Sequence, residues 1–365
     1  MLQLFWPGSG FSLSRPKRIS LALQGGGAHG AFTWGVLDHL LQDDRLEIEG
    51  ISGTSAGAVN AVMVADGLAR GGREEARKRL AEFWRAASFG GNLPGPQRAV
   101  LDRLLAFLPM QGLPVQTFVD GISRYLSPYD LNPLDINPLK GLIERCVDFD
   151  AVQAFEDLRL FISATNVHTG HARIFARAEI TADVVMASAA LPFVFRAVEI
   201  DGVPYWDGGY SGNPAILPLA HSDASTDVLV VQINPLERPA TPTSARDILH
   251  RINEITFNSS LAAELNTIAV IDRLIEQGQL RPAPGYHPVN LHRIALVGRR
   301  LTAASRLKTN FDFFEMLHRA GRRAARRFLD AHYAQIGVDS TIDLREEVKA
   351  EMDGAVPAGI DRLSQ

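Results

Sequence analysis

Two tight glycine turns, each closing a short apolar run and opening a helical one, constrain this chain more than any other feature. Residues 18–23 (Arg-Ile-Ser-Leu-Ala-Leu) stop at Gly25-Gly26-Gly27-Ala28-His29-Gly30, and 31–41 then carry Val36, Leu37, Leu40 and Leu41 at helical spacing. Glu49-Gly50-Ile51-Ser52 leads into Gly53-Thr54-Ser55-Ala56-Gly57, after which 58–68 is helical again. Strand, turn and helix, repeated, predict an α/β layered fold around a parallel sheet. In such a sheet both turns emerge at the edge where sites of this architecture lie.

The rest of the chain fits around that unit. Its 365 residues, 46% apolar and 21% charged, are ordinary globular usage and exclude a disordered or collagen-like chain. Residues 227–233 (Asp-Val-Leu-Val-Val-Gln-Ile) form the clearest buried strand, 158–164 and 172–175 read as further strands, and 291–297 is one more candidate. The expected division is a tail over 1–17, an α/β core over 18–235 and a mostly helical extension over 236–365. Prolines at 94, 96, 109, 114, 128, 133 and 138 mark 90–138 as an insertion. Its apolar stretch 99–108 reads equally as a lid, an acyl-chain wall or a packed helix. Asn137-Pro138 caps the helix that runs through Cys146, because proline fits the first helical position.

Charge and cysteine use narrow the function classes. Thirty-seven Lys and Arg against 41 Asp and Glu give a net charge of −4, which argues against a nucleic-acid binder. The single Cys146 excludes an intramolecular disulfide and a Cys-rich metal site, and it fits a reducing cytoplasm. Arg15, Lys17 and Arg18 follow the apolar Leu2, Leu4, Phe5 and Trp6, the reverse of a secretory signal. Residues 50–69 approach bilayer length, but Asn60, Asp66 and the glycines at 50, 53, 57 and 67 read as a buried helix and its turn. A cytoplasmic protein, at most peripheral to a membrane, is expected.

Each turn has more than one use. Residues 25–30 satisfy G-x-G-x-x-G, with Glu47 and Glu49 near the position of a ribose ligand, so a dinucleotide site is one reading. Converging amides without Cβ atoms can equally hold the oxyanion of an acyl intermediate. Residues 53–57 match G-x-S-x-G, a sharp turn that lifts the Ser55 hydroxyl clear of the backbone. The dinucleotide reading leaves Ser55 idle, whereas acyl transfer employs both turns. A serine nucleophile needs a base. His168, His171, His221, His250, His287, His292, His318 and His332 sit in no distinctive turn, while Asp207 stands directly before Gly208 and Gly209.

Together the three segments resemble the patatin-like phospholipase family: a glycine-rich oxyanion motif (residues 25–30), an elbow (53–57) and an Asp-Gly-Gly (207–209). Ala187-Ser188-Ala189-Ala190-Leu191-Pro192-Phe193 and Asn213-Pro214 are also similar to members of that family, and the likeness runs from about 18 to 233. The resemblance implies a three-layer α/β/α core with a mainly parallel sheet, plus the helical C-terminal extension. It implies a lipid or acyl-ester substrate and a Ser–Asp dyad, with Ser55 as nucleophile and Asp207 as base. The oxyanion hole then falls to Gly25, Gly26 and Gly27, with His29, Gly30, Gly53, Gly57, Gly208 and Gly209 supporting. No metal or cofactor is required. His29 departs from the family pattern, which has Arg or Lys there, and this puts a preference for phosphorylated head groups in question. Acyl transfer to an alcohol on the same dyad, and a non-catalytic lipid-binding or scaffold protein, are the competing functions.

Arg319, Arg322, Arg323, Arg326 and Arg327 recur on one helical face, in a stretch (293–327) with ten cations and two acids. That face reads either as a dock for anionic lipid head groups or as a solvated face pairing with acids elsewhere. Oligomeric state is not legible.

Overall fold

A computed structural model describes residues 15–88, 127–131, 137–192, 194–220, 227–236, 241–281, 288–297, 305–306 and 308–344. The strands are β1 (Lys17–Leu23), β2 (Leu46–Gly53), β3 (Arg159–Asn166), β4 (Ala172–Ala176), β5 (Val198–Ile200), β6 (Val203–Asp207), β7 (Asp227–Gln232) and β8 (Asn290–Ala295). They form one eight-stranded sheet in the order β5-β6-β3-β2-β1-β7-β8, with β4 paired to β3 off this path. Pairings among β3, β2, β1, β7 and β8 are parallel, and those of β4, β5 and β6 are antiparallel. The helices that matter here are α1 (Gly30–Gln42), α2 (Ala56–Ala86), α3 (Pro138–Cys146), α4 (Phe149–Ala154), α5 (Ala182–Ala189), α6 (Ala245–Glu276) and α7 (Phe311–His332).

Alternation along β1 explains the layers. Ile19, Leu21 and Leu23 are buried in one apolar cluster with residues of α1, α2 and α7, whereas Ala22 joins Val228, Val230, Leu261 and Ile268 in a second. Helices therefore cover both faces, the three-layer arrangement expected. Asn137 accepts hydrogen bonds from the amides of Leu139 and Lys140 and caps α3 as anticipated. Helix α2 runs further than the 58–68 pattern suggested, broken by Gly72 at φ 75°. Lys17 already belongs to β1, and its amine donates to the carbonyls of Tyr333, Ala334 and Ile336. The proposed lid or acyl wall over 99–108 lies outside the described residues.

The C-terminal region is woven into these layers. β8 extends the sheet, α6 covers the face that contains Val228 and Val230, and α7 crosses α1. Two glycines permit that crossing: a Cβ on Gly35 would lie 2.0 Å from the His318 carbonyl oxygen, and one on Gly321 2.1 Å from that of Phe32. Between the helices Asp38 accepts from Arg77 (2.7 Å), His318 (3.0 Å) and Arg322. Burial pushes that carboxyl up, but these hydrogen bonds outweigh it and hold it well below the usual carboxylate range. Arg322 thus serves the fold, while Arg319, Arg323, Arg326 and Arg327 are exposed. Among the described residues no helix is long and apolar enough to cross a membrane.

Candidate active site

The register brings the two turns together. Leu23 pairs with Gly53, so β1 and β2 end at the same level. The Thr54 amide then donates to the Leu23 carbonyl at 3.2 Å. Ser55, the residue directly before α2, adopts φ 54° and ψ −120°, a left-handed conformation that a residue with a side chain rarely takes. Close packing holds it there. A Cβ on Gly57 would lie 2.1 Å from the Leu23 carbonyl oxygen, and one on Gly53 2.6 Å from that of Gly57. The Ser55 amide donates to the Ser188 hydroxyl at 2.9 Å, so α5 fixes the elbow from below.

Asp207 ends β6 opposite Ala164 of β3, and its carboxyl is wholly buried (0% exposed). Its own amide donates to the Ala190 carbonyl at 2.9 Å, and its Oδ1 accepts the Gly209 amide at 2.7 Å. The next turn presses against the elbow. A Cβ on Gly208 would meet the Ser163 carbonyl oxygen at 2.2 Å and Thr54 Cγ2 at 3.0 Å, and the Thr54 hydroxyl donates to the Gly212 carbonyl at 2.6 Å. Burial drives the Asp207 pKa up to about 7, against the Gly209 amide and the Ser55 hydroxyl, which pull it down. Oδ2 has no closed hydrogen bond. Tyr210 is likewise pushed up to about 12 by burial and by the Asp207 charge.

The glycine loop needs one correction. The Gly25 amide donates to Asn213 Oδ1 at 2.7 Å, so it is occupied and cannot also serve an oxyanion. A Cβ on Gly25 would lie 2.7 Å from Ser55 Cβ, so this glycine is required for approach instead. The amides of Gly26 and Gly27 have no acceptor among the described residues, and Gly27 sits at φ 59°. They remain the available donors. Asn213 and Gln24, whose site roles the sequence did not reveal, secure the loop. Asn213 Nδ2 donates to the Phe257 carbonyl at 3.1 Å, and Gln24 Oε1 accepts the amides of Ile233 and Asn234, both at 2.8 Å. A buried glutamine directly before three glycines was the signal available for Gln24.

The His29 ring is buried (3% exposed), with Nε2 2.7 Å from the Ser305 hydroxyl. Of the other histidines, His292 meets Asp227, His318 meets Asp38 and His332 meets Gln335. Among the described residues no group of three or more His, Cys, Asp or Glu could hold a metal ion.

A buried serine on a strained turn, a buried carboxyl and a glycine loop thus meet at one end of the sheet of an α/β/α sandwich. The model of the patatin-like phospholipase family matches residues 21–220, more than half of the chain, and the chain belongs to that family. It is similar to the uncharacterized protein YjjU of Escherichia coli K12, at 27% identity over 307 residues covering 79% of this chain and 73% of that protein. Among solved structures it is similar to VipD of Legionella pneumophila, with TM-score 0.38 and 15% identity over 94% of this chain and 78% of that one. The type III effector ExoU, of Pseudomonas aeruginosa, gives TM-score 0.35 and 16% identity over 87% of this chain and 53% of its own.

Proposed function

We propose that the protein is a serine lipid acyl hydrolase working through a Ser55–Asp207 dyad. The observation that carries this reading is the Asp207 carboxyl: buried, without a cation beside it among the described residues, and raised to about 7 next to the Ser55 hydroxyl. An aspartate at its reference pKa of about 3.9 is a feeble base for an alcohol. Raised to about 7, it still releases its proton near neutrality and is a far stronger acceptor when it does.

Ser55 Oγ attacks the ester carbonyl while its proton passes to Asp207, and the Gly26 and Gly27 amides hold the developing oxyanion. Each well-aimed donor of this kind is typically worth about 10²–10³ in rate. Collapse of the tetrahedral adduct expels the alcohol, which takes the proton from Asp207. Water then attacks the acyl-enzyme, giving one proton to Asp207 and releasing the fatty acid; that proton returns to Ser55. An alcohol in place of water would make the same site an acyltransferase, and product analysis with competing acceptors separates the two. The exposed Arg319, Arg323, Arg326 and Arg327 suit contact with an anionic lipid surface, tested by liposome binding after reversal of three of these charges.

The decisive experiment is a lipid and ester panel assayed with wild type, Ser55→Ala and Asp207→Asn, together with labelling by a fluorophosphonate. Hydrolysis and labelling of the wild type alone are expected. Full activity in either folded variant would sink the assignment.

A further inference from the structure

The glycine loop is gripped from two sides. On one side the Gly25 amide is held by Asn213, which is itself tied to α6 through the Phe257 carbonyl and the Ser260 hydroxyl. On the other side the grip comes from residues 305 and 306, some 85 positions beyond the end of the family match at 220. The Ser305 hydroxyl lies 2.7 Å from His29 Nε2, with both side chains buried. The backbone of Arg306 presses on Gly27: a Cβ there would fall 2.5 Å from the Arg306 carbonyl oxygen. The Arg306 guanidinium reaches Glu254 of α6 at 3.6 Å, so the same helix braces both sides of the loop. Between the two grips lie the unclaimed amides of Gly26 and Gly27.

We infer that Ser305 is a positioning residue for acyl transfer: its hydrogen bond to His29 holds the turn so that the Gly26 and Gly27 amides point at the oxyanion. The inference rests on the hydrolase reading. It gives His29 a use that needs no charge on its ring, because a neutral imidazole can exchange one hydrogen bond with a hydroxyl. It also gives the C-terminal region a part in the chemistry. A hole built from backbone amides has no side chain of its own to lock, so its aim depends on what fixes the φ and ψ of Gly26 and Gly27. Glycine leaves those angles free unless neighbours restrain them.

The test uses the full chain, with Ser305→Ala, Ser305→Thr, His29→Ala and the Ser305→Ala/His29→Ala double variant. A soluble short-chain p-nitrophenyl ester gives kcat and KM per active site, titrated by fluorophosphonate. Binding of an acyl trifluoromethyl ketone reports the tetrahedral adduct. Ser305→Ala is expected to lower kcat about 10- to 100-fold, with KM within about twofold and ketone affinity falling in parallel. Ser305→Thr should recover most of the loss, and the double variant should be no worse than the poorer single one. Unchanged kcat and ketone affinity per titrated site in Ser305→Ala, or losses that multiply in the double variant, overturn the inference and leave the hydrolase reading standing. A wild type with no Ser55-dependent hydrolysis overturns both.

Discussion

Asp207 and Asp227 are equally hidden from water, at 0% and 2% exposure, yet burial has opposite outcomes for them. Asp207 closes β6 at the elbow end of the sheet, and Asp227 opens β7 at the other end. Asp207 receives one amide, faces one hydroxyl, and is raised to about 7. Burial pushes Asp227 up as well, but His292 at 2.9 Å, the Gly337 amide at 2.7 Å and Asn290 outweigh it, so its pKa falls below the ordinary value. Burial removes water from both; the partners decide the sign. One end of the sheet uses a carboxylate to hold strands and the C-terminal segment together, while the other leaves a carboxylate under-satisfied and able to take a proton.

The largest effect should come from removing each carboxylate. Asp207→Asn is expected to cut hydrolysis about 10²–10⁴-fold in purified, folded protein. The same variant should be more stable than wild type at pH 8, by an order of a few kcal/mol, because the amide has no charge to desolvate. The sign follows from a folded pKa of about 7, above the ordinary carboxyl value of 3.8: wild-type stability falls as pH rises between them, so the two proteins should converge near pH 4. Urea unfolding at both pH values measures this. Lower stability of Asp207→Asn at pH 8 would break the contrast.

Asp227→Ala should do the reverse. It strands a buried histidine and the Gly337 amide, and a loss of roughly 3–5 kcal/mol is expected at pH 7, with kcat per folded molecule unchanged. Because the folded pKa of Asp227 is lowered, its contribution is present above the unfolded value of 3.8 and disappears as pH drops below that. Stability of the variant and wild type should therefore approach each other in acid. A drop in kcat alone would show that the two ends are coupled.

The pH profile sharpens the comparison further. With Asp207 as base, kcat/KM should rise with pH to a plateau, with its acid limb centred near the raised value of about 7 rather than near 4. A limb near 4 would mean that the carboxyl is solvated during turnover.

The smallest effect concerns the arginines of α7, where the same contrast recurs between Arg322, paired with Asp38, and the exposed Arg323. Arg322→Ala should cost about 1–2 kcal/mol by releasing Asp38, whereas Arg323→Ala should stay within about 0.5 kcal/mol. Thermal unfolding of the two variants distinguishes them. Equal losses would mean that the exposed arginine has a fold partner.

Much of the chain was readable in one dimension where chemistry and geometry demand particular residues locally. Ile19, Leu21 and Leu23 alternate with Ala22, so β1 announces both its conformation and its two faces. The elbow announces itself through Gly53 and Gly57, which have no room for a side chain. The short strands β5 and β6 were missed because three and five residues, interrupted by Pro204, give too little alternation to read. The assignment of Gly25 to the oxyanion hole failed because nothing near residue 25 in the sequence reveals that the Asn213 side chain reaches its amide.

Local composition therefore determined the turns and the strands that feed them, since each depends on residues within a few positions of one another, while the pairing of Ser55 with Asp207 came from the family resemblance. Only the folded chain decided which amides stay unclaimed, why Asp207 is a stronger base than its type, and how Ser305 reaches His29. Those properties depend on groups up to 276 positions apart brought within hydrogen-bond reach, and on the water that their meeting excludes.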